Sequence, residues 1–222
     1  MKRSEVNEIL RAGDAFIRSF GFILPPFAYW SPDEMRAASG TDIHARGLGW
    51  DITDYGDGRF DEMGLFLFTT RNGALEDLGK GRGMLYAEKI MISRHDQLSP
   101  MHRHDLKAED IINRGGGDLI IELFGPNPDG SIDRDSDVTV PCDGTLRTVR
   151  AGGKLTLKPG ESVTLMPGIW HAFWAEREDC LIGEVSTVND DKTDNIFEMP
   201  IGRFSDIVED EPPVHLLVSD YP

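Results

Sequence analysis

Residues 102–116 read HRHDLKAEDIINRGG and residues 160–171 read GESVTLMPGIWH. In the first stretch His102 and His104 stand two apart, with Glu109 five residues further on. On a strand, residues i and i+2 face the same side, so both imidazoles point inward together. A carboxylate from the segment just beyond can close a third coordination position. His171, which follows Pro167-Gly168 at the start of a later strand-like run, is the best candidate for a fourth. The spacing outlines a metal site carried on a β scaffold.

The text around these stretches supplies the scaffold. Ala87–Arg94, Asp118–Phe124, Thr145–Val149, Lys154–Lys158, Ser162–Met166, His171–Ala175 and Cys180–Thr187 are short strand-like runs, most of them parted by Gly, Pro or Asp. Such a series indicates an antiparallel sandwich or barrel with helices packed outside it. Ahead of it, Val6, Ile9, Leu10, Phe16, Ile17 and Phe20 recur at helical spacing, which predicts a helix over 4–20 with one buried face. A second helix is expected near Ser31, where Ser31 caps, Pro32 suits the first helical position and Glu34 completes a capping box. Residues 40–83 read as Gly-rich loops that cover something rather than form a core. Gly125–Arg134, GPNPDGSIDR, reads as a hairpin excursion, and Gly115-Gly116-Gly117 as a tight turn. That glycine run lacks the Lys-Ser or Lys-Thr of a phosphate-binding loop and precedes a strand, not a helix, so nucleotide binding is not indicated. One domain is expected over 1–222: helices and covering loops in 1–85, the barrel in 86–188 and a C-terminal segment in 189–222.

Composition narrows the functions. The chain carries 23 Lys plus Arg against 39 Asp plus Glu, a formal charge of −16, which argues against a basic nucleic-acid-binding surface and against attraction to an anionic membrane. Its two cysteines, Cys142 and Cys180, are too few for a disulfide framework, and its first residues lack the apolar stretch of a signal peptide. A cytoplasmic protein is expected.

Taken together, the two opening motifs resemble the paired motifs of the cupin superfamily, with Asp96 standing where the first usually opens with Gly, Met166 where the second usually has Pro, and Ala175 where it usually closes with Asn. The segment His102–Phe124, with Pro100-Met101 before it and Gly183–Ser186, Asn189–Asp191 and Gly202–Phe204 after it, is similar to the bacterial D-lyxose isomerase family. The likeness extends over nearly the whole chain, the FAYW segment ending at Trp30 included. It implies a mostly β fold, the double-stranded antiparallel cupin barrel (jelly roll) with N-terminal helices outside. It further implies a divalent metal, usually manganese, held by His102, His104, Glu109 and His171, and interconversion of D-lyxose with D-xylulose. The family's characteristic lysine falls on Lys107. Asp105 stands where an aromatic residue is expected. D-mannose and D-fructose are the related hexose pair, and a homodimer is expected.

That chemistry sets requirements. Moving a carbonyl between C1 and C2 passes through an enediolate, which a divalent ion bound by both oxygens stabilises as a Lewis acid, provided open positions remain beside its protein ligands. The thiolate-free donor set suits manganese, although zinc, cobalt or iron(II) fit the same ligands. Glu184 shares a strand face with Ile182 and Ser186 and enters the cavity if that face lines the barrel, so Glu184 and Lys107 are the candidate proton carriers. Lys89, Gln97, Asp191 and Arg203 are candidates for sugar hydroxyls. Trp170 and Phe173 flank His171 and are candidates to stack on a sugar face, although aromatics so placed more often fill a core. An iron-dependent cupin dioxygenase and a non-catalytic sugar-binding cupin are the rival readings.

Overall fold

A computed structural model of the chain describes residues 1–221. Helix α1 (Arg3–Ser19) buries Val6, Leu10 and Ile17 along one face, as its periodicity predicts. Helix α2 (Pro32–Ala37) starts at the expected cap. The Ser31 hydroxyl accepts from the Glu34 N–H, and the Glu34 carboxylate accepts from the Ser31 N–H at 2.8 Å.

The strands are β1 (Gly49–Thr53), β2 (Leu65–Asn72), β3 (Tyr86–Ser93), β4 (Ser99–Arg103), β5 (Glu109–Pro126) and β6 (Ile132–Asp133), followed by β7 (Val138–Cys142), β8 (Thr145–Val149), β9 (Gly153–Leu157), β10 (Ser162–Leu165), β11 (Trp170–Thr187) and β12 (Ile196–Phe197). All their pairings are antiparallel. β11 is the hub, bonded to β5 along most of its length and to β3 and β4 on its other side. β10 and β9 pair with successive halves of β5, so the sheet curls on itself. β7 and β8 form a separate hairpin. The turn-rich 125–134 segment is the hairpin expected of it, with Gly125 opposite Asp133 and Pro126 opposite Ile132.

Strand parity sorts the core into two layers. Leu65, Leu67, Met91, Ile121, Phe173 and Ile182 face the barrel interior, whereas Phe66, Phe68, Ile90, Ile92 and Leu181 face outward onto α1, joined there by Trp50 and Leu217. Residues 40–83 are therefore not merely a cover: β1 and β2 extend the sheet and are buried nearly throughout. The run Leu65-Phe66-Leu67-Phe68 shows no alternation because both of its faces are buried.

Two further expectations change. His171–Ala175 and Cys180–Thr187 are one strand, continuous across a register shift between Glu176 and Cys180. The glycine triplet is not a turn but lies within β5, at the point where β5 crosses that irregular stretch of β11. Gly116 has φ +92°, and a Cβ there would lie 2.1 Å from the Asp179 carbonyl oxygen; one on Gly117 would lie 2.2 Å from that of Glu178. Glycine is needed for the close approach of the two backbones. Asn113 fastens the kink, donating to the carbonyls of Gly117 and Leu157 and accepting from the Gly115 N–H, each at 2.9 Å. Gly116→Ala is expected to cost about 3 kcal/mol in backbone strain and displacement, lowering the melting temperature by roughly 6–12 °C, measurable by calorimetry. Asp96, which stands where the first motif usually has Gly, keeps the left-handed conformation with φ 57°, which Asp tolerates better than most residues.

No helix among the described residues is long and apolar enough to cross a membrane.

Candidate metal centre

His102 at the end of β4 lies directly opposite His171 near the start of β11, so strand pairing alone brings the two rings to a centroid separation of 4.1 Å. His104 follows two residues after His102, with its ring centroid 5.2 Å away. All three are buried, and one ligand atom from each lies within 4.8 Å of the others. Glu109, the first residue of β5, adjoins the group: its Oε1 is 3.1 Å from His171 Nε2 and 3.4 Å from His104 Nε2.

Hydrogen bonds at the far side of each ring decide what the near side offers. His102 Nδ1 contacts the Pro100 carbonyl at 2.8 Å, His104 Nδ1 that of Asp194 at 2.5 Å, and His171 Nδ1 that of Ile169 at 3.2 Å. A carbonyl only accepts, so each Nδ1 carries a proton, and each ring in its neutral form offers a bare Nε2 lone pair to the interior. His104 Nε2, His171 Nε2 and Glu109 Oε1 are buried without a hydrogen-bond partner; they approach one another, but not in hydrogen-bonding geometry. Buried acceptors facing each other without a donor are costly, and a cation among them satisfies all of them. Burial, reinforced by the neighbouring His171 and His104, also holds His102 well below the ordinary histidine range, in the unprotonated form a metal requires. The three histidines are thus able to hold a metal ion.

Beside them runs a buried chain of charges. Lys107 Nζ is 2.6 Å from Glu109 Oε2 and 3.1 Å from Glu184 Oε1. Lys89 Nζ donates to Asn189 Oδ1 at 2.7 Å and lies 3.5 Å from Glu184 Oε1 and 3.4 Å from Asp191 Oδ1. Arg203 Nη2 continues the chain, 3.4 Å from Asp191 and 2.7 Å from Asp51 Oδ2. Burial opposes charge on Lys107, but Glu109 and Glu184 outweigh it and hold the ammonium above the ordinary lysine range. Burial would likewise raise Glu109, yet the Lys107 ammonium 2.6 Å away keeps it well below the carboxylate range. At Asp191 the same contest goes to Lys89 and Arg203, which hold it ionised against its burial.

Of the residues singled out from the sequence, His102, His104, Lys107, Glu109, His171, Glu184, Lys89, Asp191, Arg203 and Phe173 all line one cavity at the end of the barrel. Glu184 points inward with Ile182, as its parity predicts, and stands opposite Lys89 on β3. Gln97 is not brought there: its fully buried amide donates to the Phe60 carbonyl at 2.6 Å and accepts from the Arg94 N–H at 3.0 Å. Trp170 is not either. One residue from His171, it faces the opposite side of β11, packing with Met101 and Phe124 and donating to the Gly130 carbonyl at 3.0 Å. The sequence reading missed Tyr55, Asn195 and Phe197, which also line the cavity, and Asp194 behind it. Only their nearness to Asp191 and Arg203 in the matched C-terminal segments hinted at Asn195 and Phe197. Asp105, in place of the expected aromatic, forms an ion pair with Arg103.

A curled antiparallel barrel with three imidazoles converging on one cavity defines a mostly β protein of cupin-like fold with a site able to hold a metal. Solved structures carry the same fold: Cellulomonas parahominis L-ribose isomerase with L-ribose superposes with a TM-score of 0.63 at 15% identity, covering 94% of this chain and 98% of that one. The L-ribose isomerase of Acinetobacter sp. DL28 in complex with L-ribose also gives a TM-score of 0.63 and the same coverage, again at 15% identity. In sequence, the chain matches the D-lyxose isomerase family over residues 1–221 and belongs to it. The D-lyxose/D-mannose isomerase of Serratia proteamaculans is 47% identical over 226 residues, covering 100% of this chain and 98% of that protein. That of Escherichia coli O157:H7 is 46% identical with the same coverage.

Proposed function

We propose that the chain is an aldose-ketose isomerase that interconverts D-lyxose and D-xylulose, and D-mannose and D-fructose, with the whole chain acting as one domain. Family membership supports the substrate class. The observation that carries the reaction is Lys107 Nζ standing between Glu109 Oε2 and Glu184 Oε1 beside the histidine cluster. His102, His104, Glu109 and His171 would hold the cation through the three Nε2 atoms and Glu109 Oε1. When bound, a divalent ion of the manganese type supplies Lewis-acid stabilisation to charge developing on the sugar oxygens O1 and O2.

The chain's own groups supply the rest. In the aldose-to-ketose direction the C2 proton must reach C1 and the O2 proton must reach O1, so one group handles carbon and another oxygen. Glu184 takes the proton at C2 and returns it at C1; its Oε1 is already held by Lys107 and Lys89, which leaves the second carboxylate oxygen for that task. Lys107 hydrogen-bonds the reacting oxygens and passes the proton between them. Lys89, Asp191 and Arg203 bind hydroxyls at the far end of the chain of charges, and Phe173 provides an apolar wall. Gln97 and Trp170 have no part in this account, since the amide of one and the ring of the other are engaged elsewhere. Action in the cytoplasm, as a homodimer, on a free sugar belongs to the same proposal. The buried, unpaired Cys142 and Cys180 agree with a reducing compartment.

Incubation of the metal-loaded protein with D-lyxose under nitrogen, followed by sugar analysis, is expected to yield D-xylulose at the aerobic rate. Chelation should abolish the activity, and manganese should restore it best among the divalent ions. Product formed only with consumption of oxygen would establish the dioxygenase reading instead, and binding without turnover the sugar-binding one.

A further inference from the structure

We infer that Asp194 is a positioning residue that sets His104 and Lys107 in place together, an inference that rests on the isomerase reading of the cavity. The chain leaves β4 after Arg103 and enters β5 at Glu109, so residues 104–108 carry a proposed ligand and the proposed proton carrier without strand pairing of their own. Lys107 nevertheless holds its ammonium in hydrogen-bonding range of two carboxylates. The ends of the loop are tied by the Gly168 N–H, which donates to the His104 carbonyl at 2.7 Å, and by Thr187, which bonds Ala108 in both directions. Between those ends the restraint comes from a residue about ninety positions downstream.

Asp194 Oδ1 accepts from the N–H groups of Asp105 at 2.8 Å and Leu106 at 3.0 Å, and its Oδ2 accepts from that of Lys107 at 2.9 Å. Three successive backbone donors converging on one carboxylate form an anion nest, and here the anion is a side chain of the same protein. The backbone carbonyl of Asp194 meanwhile receives the His104 Nδ1 proton, which fixes that ring's tautomer and direction. Asp194 is only 5% exposed, and its own position is set by a local turn. Its N–H donates to the Asp190 carbonyl at 3.1 Å, and the Asp190 carboxylate accepts from the N–H groups of Lys192 and Thr193 and from the Thr193 hydroxyl. The residue therefore has two separable tasks: its carboxylate places the backbone of Lys107, and its carbonyl places the ring of His104.

Asp194→Asn separates the tasks. The amide oxygen replaces one carboxylate oxygen, whereas its NH2 group meets a backbone N–H where an acceptor stood, and the carbonyl to His104 is unchanged. We expect manganese affinity, measured by titration, to stay within about threefold of the unsubstituted protein. Amide hydrogen exchange at residues 105–107 should be faster. The folded, metal-loaded variant should lose about tenfold or more in kcat at nearly constant KM, as a displaced catalytic group does. Asp194→Ala, if it folds, should expose all three amides and lose more. A residue that only supported the fold would lower the melting temperature without moving kcat per metal-loaded site. The proposal is overturned if Asp194→Asn keeps kcat within twofold, or if exchange at 105–107 is unchanged. If the unsubstituted protein isomerises no sugar, the isomerase reading falls by itself, and the exchange and titration results still decide whether Asp194 anchors the loop.

Discussion

Glu184→Gln and Lys107→Met are each expected to retain the metal and the fold while losing roughly 100-fold or more in turnover of D-lyxose, the scale on which positioned acid-base groups act. Glu184→Gln keeps the volume of the side chain and replaces the proton-accepting oxygen with an amide. Lys107→Met keeps the stem of the side chain and removes the ammonium now 3.1 Å from Glu184 and 2.6 Å from Glu109. Steady-state kinetics on protein whose metal content has been verified separates this loss from metal loss. With the unsubstituted protein in deuterated water, the product should carry solvent deuterium at the carbon that receives the proton, because a proton held on a carboxylate exchanges before it returns. A product without solvent label would point to a hydride shift, and Glu184 would then be a hydroxyl-binding residue even if its replacement slowed the reaction.

The second large effect concerns the cation. His102→Ala or His171→Ala is expected to weaken metal binding by at least about tenfold, since even groups that merely orient a ligand often matter by 10- to 100-fold. The double variant should retain no stoichiometric metal by elemental analysis. The two histidines pair across β4 and β11, so each removal opens the same side of the cluster and leaves Glu109 Oε1 and His104 Nε2 as buried acceptors with nothing between them. Activity should fall in step with occupancy and recover partly at high manganese. Full metal content in the double variant would remove these residues from the site.

Strand parity is a local rule: Glu184 shares a direction with Ile182 wherever β11 goes. The histidine spacing was informative for a different reason, since His104 lies one residue past the end of β4 and its ring is set toward His102 by the Asp194 carbonyl. The parity rule, applied in reverse, disposes of Trp170, which as the immediate neighbour of the inward-facing His171 must point outward, where it joins Met101 and Phe124. Gln97 was beyond such a rule. It lies in a loop, where direction is set by partners rather than by periodicity, and its partners, the Phe60 carbonyl and the Arg94 N–H, hold its amide away from the cavity. β1 and β2 were missed for a third reason: a strand buried on both faces loses the alternation that identifies one exposed on a single face.

The sequence by itself determined the β class of the fold and the two outer helices with the Ser31 cap, and it singled out the residue types and order of a candidate metal site. Each of these follows from periodicity or from motifs a few residues long, interactions whose partners are close in the chain. Only the tertiary structure decided which polar residues meet. It set His102 against His171, Glu184 against Lys89, and Asp194 beneath the loop that carries Lys107. It also placed the glycine triplet inside β5 where the Asp179 carbonyl leaves no room for a side chain. These contacts join residues tens of positions apart, and their formation depends on strand register. A shift of one residue would turn every side chain of a strand to the opposite face. Register is fixed by the packing of the whole barrel, so it became visible only when the barrel was closed.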